Sequence, residues 1–154
     1  MNSIKDGRTI HLIDVENLVG SGRPSQEAIQ AAAEHYAEVA GLAPEDHVVL
    51  GCGTASAFTV FFGWPGEHRR VLGSGKDGAD LALLEVLDTE DIASRFTRVF
   101  IASGDHLFEP AARRLLSQGV DVRIVARPTS IAFGLWALGR NIEFPDTTDT
   151  QEIA

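Results

Sequence analysis

Thr9-Ile10-His11-Leu12-Ile13-Asp14-Val15-Glu16-Asn17 is the stretch that decides the fold. Its first five residues are a short apolar run with β-branched members, and the run stops abruptly in acids and an amide. That pattern reads as a buried strand ending in a polar turn. Four more runs of the same kind follow: His47–Leu50, a weaker Arg69–Leu72, Arg98–Ala102 and Val120–Val125. Between them lie segments with helical character. Ser25–Ala40 is rich in Ala and Glu, with Ser25 placed to cap its start and Gly41 its end. Ala55–Phe62, Asp77–Leu87, Phe108–Ser117 and Ser130–Leu138 complete the set, the last two closed by Gly119 and Gly139.

Strands alternating with helices imply a parallel sheet covered on both faces. The expected fold is α/β, a three-layer α/β/α sandwich with a mainly parallel five-stranded sheet. Continuous apolar strands such as Val99–Ala102 fit burial on both sides. With 154 residues, 44% apolar and 23% charged, and a mean hydropathy of +0.02, the chain suits one globular domain over residues 1–145. A polar, acidic tail, Asp146–Ala154, follows that domain. The single cysteine, Cys52, excludes an intrachain disulfide and a cysteine zinc cage, and after an apolar strand it reads as a buried thiol. No apolar run approaches membrane-spanning length, and Met1–Arg8 lacks the apolar core of a signal peptide, so a cytoplasmic protein is expected.

Thirteen Lys and Arg against 22 Asp and Glu give a net charge of −9. That argues against coating nucleic acid through bulk charge, but not against carboxylates gathered locally around a cation. In an open parallel sheet, ligands bind beyond the carboxyl ends of the strands. Three acidic clusters fall there or at the following helix start: Asp14-Val15-Glu16-Asn17, Lys76-Asp77-Gly78-Ala79-Asp80 and Ser103-Gly104-Asp105. Taken singly, each has a local explanation. Asp14 and Asn17 can shape a turn, Asp77 can cap a helix with Asp80 in its first turn, and Asp105 can cap the next helix. Taken together, carboxylates on one sheet edge repel unless a cation compensates. An oxygen-only set of Asp, Glu and Asn suits Mg²⁺ or Mn²⁺. Gly73, Gly75 and Gly78 permit a tight backbone before the helix, and Ser103-Gly104 leaves room at the strand end.

With these three motifs, in this order, the chain resembles the NYN domain, a branch of the PIN-like nuclease superfamily, over roughly Thr9 to Phe144. The resemblance implies a metal-dependent ribonuclease. In it Asp14, Asp80 and Asp105 bind Mg²⁺ or Mn²⁺, and Asn17 positions the scissile phosphate or a water. The family often has an acid two residues after the third aspartate. Here Leu107 stands there, with His106 between, so a catalytically weak or inactive module that binds RNA or a protein partner is the alternative. Glu16 or Asp77 could supply a further carboxylate, Ser103 lies in the third motif, and His106 could act on substrate or leaving group. Lys76, Arg23 and Arg127 are the candidates for substrate phosphate.

Two other metal or nucleotide chemistries fit less well. A haloacid-type phosphatase wants Asp-x-Asp after the first strand, where this chain has Asp14-Val15-Glu16. A dinucleotide fold wants a Gly-x-Gly-x-x-Gly there, and Asp14–Val19 contains no glycine. The expected partners are an RNA substrate, a regulatory protein that compensates for the weak RNA binding a net charge of −9 predicts, and a second copy of the chain. The last comes from two crowded apolar runs, Phe58–Trp64 and Ile131–Leu138, which suggest core plus a partial homodimer interface.

Overall fold

A computed structural model describes residues 7–145; the expected acidic tail lies outside the described residues. Six strands form one sheet: β1 (Thr9–Asp14), β2 (His47–Gly53), β3 (Arg69–Gly73), β4 (Arg98–Ala102), β5 (Asp121–Ala126) and β6 (Asn141–Glu143). Their order is β3-β2-β1-β4-β5-β6, and every pairing is parallel. Among the described residues, seven helices flank it: α1 (Val15–Val19), α2 (Gln26–Ala40), α3 (Ala57–Gly63), α4 (Gly78–Thr89), α5 (Ile92–Arg95), α6 (Glu109–Ser117) and α7 (Phe133–Trp136). Short 3₁₀ turns at Thr54–Ser56 and His106–Phe108 lead into α3 and α6.

The sandwich follows from the two-residue period of the strands. Ile10 and Leu12 of β1, Val99 and Ile101 of β4, and Val122 and Ile124 of β5 face α4, α5, α6 and α7. Ile13, Phe100, Ala102 and Val125 point the other way, into a second core with α1, α2 and α3. His11 shares that second side. Its ring stacks on Phe100 at 4.5 Å, Nδ1 lies 2.7 Å from the Tyr36 hydroxyl and Nε2 lies 2.9 Å from Asp46 Oδ2.

Four sequence expectations change. The sheet has six strands, not five, because β6 adds to the edge with only Ile142 apolar between Asn141 and Glu143, too little for a strand signal. The polar turn after β1 is the one-turn helix α1, which buries Val15, Leu18 and Val19. The last helix shrinks from Ser130–Leu138 to Phe133–Trp136, because Ala132 is extended (ψ 145°) and its N–H bonds to Gly104 O at 2.8 Å. The short α5 precedes β4 where no helix was expected.

Strand order fixes where a ligand can sit. The chain leaves β1 toward α1 and α2 on one face, and leaves β4 toward α6 on the other. That divergence opens a crevice at the carboxyl ends of β1 and β4, the switch point of a doubly wound sheet. Helix α4 returns the chain from edge strand β3 to central strand β4 and packs beneath β1, β2 and β3. Its first turn therefore arrives at the same crevice. The return is tight: a Cβ on Gly78 would stand 2.5 Å from the Gly73 carbonyl carbon, so neither position has room for a side chain.

Candidate metal centre

The crevice is an open cleft of about 370 Å³. It is lined by Asp14, Glu16, Asn17, Asp77, Asp80 and Asp105, with Arg127 at its wall and Gly20, Ser21, Gly22, Gly53 and Gly75 around it. All three acidic clusters thus meet in one place.

Asp14 is the last residue of β1 and is buried. Its Oδ1 accepts the Asn17 N–H at 3.3 Å, capping α1, and its Oδ2 accepts from Ser103 Oγ at 3.2 Å. It also shares a hydrogen bond with the carboxyl of Asp80. Asp80 comes from the first turn of α4 and is only 7% exposed. One carboxylate oxygen from each of Asp77, Asp80 and Asp105 lies within 4.8 Å of the other two. Asp77 occupies the N-cap position of α4, but in a left-handed conformation (φ 62°) with no side-chain capping bond, so its carboxylate is free to face the cleft. Asp105 does cap, accepting the Leu107 N–H at 2.9 Å, and its carboxyl also bonds to that of Asp80. The local capping explanation therefore holds for part of Asp14 and Asp105 and fails for Asp77.

Electrostatics mark the cluster as unbalanced. Burial pushes the Asp80 carboxyl up to about 9, assisted by the hydrogen bond and charge of Asp14 and by the charge of Asp105. Burial also raises Asp14, against the opposing help of its hydrogen bonds from Asp80, Asn17 and Ser103. Two acids this close share a proton unless a cation takes its place. A hard divalent ion such as Mg²⁺ or Mn²⁺ matches the all-oxygen donor set, and the three carboxylates close enough together to hold it are Asp77, Asp80 and Asp105; of the expected triad, Asp14 stands beside Asp80 but outside that group.

Around these acids the backbone is pinned by polar side chains. Asn17 Oδ1 accepts the Gly104 N–H at 3.1 Å, and Asp105 N–H donates to Ser103 Oγ at 3.2 Å. Arg127 Nε donates to the Asn17 carbonyl at 3.0 Å, which lays its guanidinium over Gly20. Glu16 accepts from Gly53 N–H and from the Ser56 hydroxyl, so the end of β2 holds its carboxylate at the cleft wall. Sequence reasoning missed Ser56; its only signal is a hydroxyl in the turn directly after a strand.

The remaining expected site residues are more peripheral. His106 is largely exposed, its Nδ1 3.4 Å from Asp105 Oδ1. Lys76 and Arg23 are exposed and do not line the cleft. Leu107 is half-buried and lends only its N–H to the site.

No family model matches the chain, and no curated protein matches it. A crystal structure of a protein of unknown function from Vibrio parahaemolyticus is similar over 92% of this chain and 94% of that one, with a TM-score of 0.57 and 20% identity. Identity that low extends the likeness to the fold alone. Among the described residues, no helix is long and apolar enough to cross a membrane.

Proposed function

We propose that this chain is a metal-dependent ribonuclease that hydrolyses RNA phosphodiester bonds in the β1/β4 cleft. The observation behind the reading is the convergence of Asp14, Asp77, Asp80 and Asp105 from three separate segments into one cleft, where burial and the neighbouring acids raise the Asp80 carboxyl. The ordered motifs that resemble the NYN domain support the same reading. Asp77, Asp80 and Asp105, with Asp14 beside Asp80, would hold Mg²⁺ or Mn²⁺, which would offset charge on the phosphoryl oxygens and make water a better nucleophile.

In the hydrolysis, water oxygen bonds to phosphorus, the bond from phosphorus to one ribose oxygen breaks, and a phosphomonoester and a hydroxyl result. The water's proton passes to a cleft carboxylate, and the leaving oxygen takes up a proton. Ser103 and the Asn17 N–H fix the Asp14 carboxylate so that it does not turn away from the phosphate. Asn17 spends its amide oxygen on Gly104, which leaves its NH₂ donors for a substrate oxygen. Arg127, tied down through Nε alone, presents its other guanidinium donors to a phosphate. The −9 charge favours substrate delivery by a regulatory protein, and action in the cytoplasm fits an RNA target.

Cleavage of end-labelled RNA in Mg²⁺, Mn²⁺ or EDTA tests the reading. Products should require the cation and disappear in Asp14→Asn and Asp105→Asn. Equal cleavage by those folded variants, or none by the parent in any cation, overturns it. The second outcome points to the binding module that Leu107, in place of an acid, would favour.

A further inference from the structure

We propose that Phe133 and Trp136 form a stacking platform for the bases of a single-stranded polynucleotide whose backbone enters the acidic cleft. The inference rests on the hydrolase reading above and adds to it the form of the substrate. Both rings stand in solvent, Phe133 78% and Trp136 54% exposed, while Leu135 between them is buried and anchors the turn. The ring centroids are 5.9 Å apart and the planes are tilted by 36°, which leaves outward π-faces open to a base.

The platform is fixed to the candidate site. Ala132 N–H donates to Gly104 O at 2.8 Å, one residue before Asp105. The Ser130 carbonyl lies so close to Gly104 that a Cβ there would collide with it. Helix α7 also packs on the 3₁₀ turn that begins at His106. At α7 itself the Glu109 carboxylate lies against Gly134 and is neutralised by Arg113 at 2.9 Å, while Arg123 and Arg140 are turned to Asp121. The cation open to a phosphate is Arg127, which lines the cleft and has no ion-pair partner among the described residues.

A second copy of the chain is a poorer occupant. Two aromatic side chains offer a few hundred Å² at most, far below the roughly 1,200 Å² of a stable interface. The other exposed pair, Phe58 and Phe62, differs: its rings pack at 4.6 Å and the Arg70 guanidinium already sits 5.5 Å from the Phe62 centroid. It serves as the control.

The test uses the whole chain with an adenosine RNA dodecamer and a duplex of the same length, in Ca²⁺ at low salt. Trp64 is only 5% exposed, so quenching on titration reports Trp136. The single strand should quench and the duplex should not. Phe133→Leu and Trp136→Leu, which keep apolar bulk and lose the π-face, should each weaken binding at least about fivefold, while Phe58→Leu binds as the parent does; these affinities are read by anisotropy of a fluorescently end-labelled dodecamer, because Trp136→Leu removes the reporting indole. In cleavage, the same two variants should raise KM and leave kcat within about twofold, the pattern of lost substrate binding. Parent-like affinity in both leucine variants, absence of single-strand binding, or sedimentation as a dimer that Trp136→Ser dissociates overturns the platform. Cleavage that continues undiminished in both leucine variants removes the platform and leaves hydrolysis standing. Quenching without cleavage in any cation removes hydrolysis and leaves the platform.

Discussion

The carboxyl of Asp80, in the first turn of α4, hydrogen-bonds to that of Asp14 at the end of β1. Two acids in contact within a cleft are stable at neutral pH only if a proton or a cation lies between them. This pairing governs how the protein should respond to pH and to metal.

The Asp80 pKa is raised from 3.8 to about 9, so the folded chain keeps a proton that the unfolded chain has lost. Its contribution to stability is full below pH 3.8 and disappears as pH rises through 9. Without divalent cations, the melting temperature should fall from pH 7 to pH 9, and Asp80→Asn should flatten that slope. A slope unchanged in Asp80→Asn would refute the shared proton.

Cation binding must expel that proton. Mn²⁺ or Mg²⁺ should therefore raise the melting temperature more at pH 8 than at pH 6. Calorimetry in two buffers of different ionisation enthalpy should register proton release on binding. Equal stabilisation at both pH values, with no proton released, would place the ion elsewhere.

Gly78 lets the first turn of α4, which carries Asp80, lie against the end of β3. A Cβ there would stand 2.5 Å from the Gly73 backbone, so Gly78→Ala must push the start of α4 away from β3. Overpacking of this kind costs about 1–3 kcal/mol. The variant should lose that stability in urea unfolding and also lose cation stabilisation, because Asp80 moves with the helix. Asp77→Asn, at the neighbouring position with its carboxyl uncommitted to capping, should keep the fold stability and weaken only the cation effect.

The sequence made the central part of this arrangement legible. Apolar runs that end in Asp14 and Asp105 identify both strands and place both acids on one edge, because a parallel sheet puts its strand ends together. Asp80 was legible as a helix-start acid, yet its contact with Asp14 depends on the path of α4 from β3 back to β4, which no local pattern encodes. Strand β6 was illegible because an edge strand of three residues needs little apolar content. Helix α1 reads as a turn because the i, i+3, i+4 spacing of Val15, Leu18 and Val19 spans a single turn and is interrupted by Glu16 and Asn17. The expected final helix failed at Ala132, whose N–H goes to Gly104, a contact between residues distant in the chain.

Three cations were candidates for substrate phosphate, and only Arg127 lines the cleft. Arg127→Ala should weaken RNA binding similarly across sequences and reduce the dependence of log K on log salt by about 1. Lys76→Ala and Arg23→Ala, both at exposed positions outside the cleft lining, should change that slope much less. Filter binding at several salt concentrations separates the three, and equal slopes for all variants would remove Arg127 from the phosphate path.

Away from the cleft, His11 offers a clean measure of what one buried hydrogen bond contributes. Its ring is enclosed, with Nε2 against the Asp46 carboxylate and Nδ1 against the Tyr36 hydroxyl. An ionised Asp46 can only accept, so Nε2 carries the hydrogen and Nδ1 accepts from Tyr36. Burial lowers the His11 pKa below 6.5, and Asp46 only partly opposes it. The folded chain therefore resists a proton that the unfolded chain accepts, so this part of the stability is full above pH 6.5 and shrinks below it. Tyr36→Phe leaves Nδ1 buried without a donor, which should cost about 1–3 kcal/mol in urea unfolding at pH 8. The cost should not diminish as pH falls, because a protonated Nδ1 becomes a donor that the Tyr36 oxygen accepts from and a phenylalanine ring cannot. A loss that vanishes toward pH 5, or none at pH 8, would show that the hydroxyl makes no hydrogen bond to His11 that matters to stability.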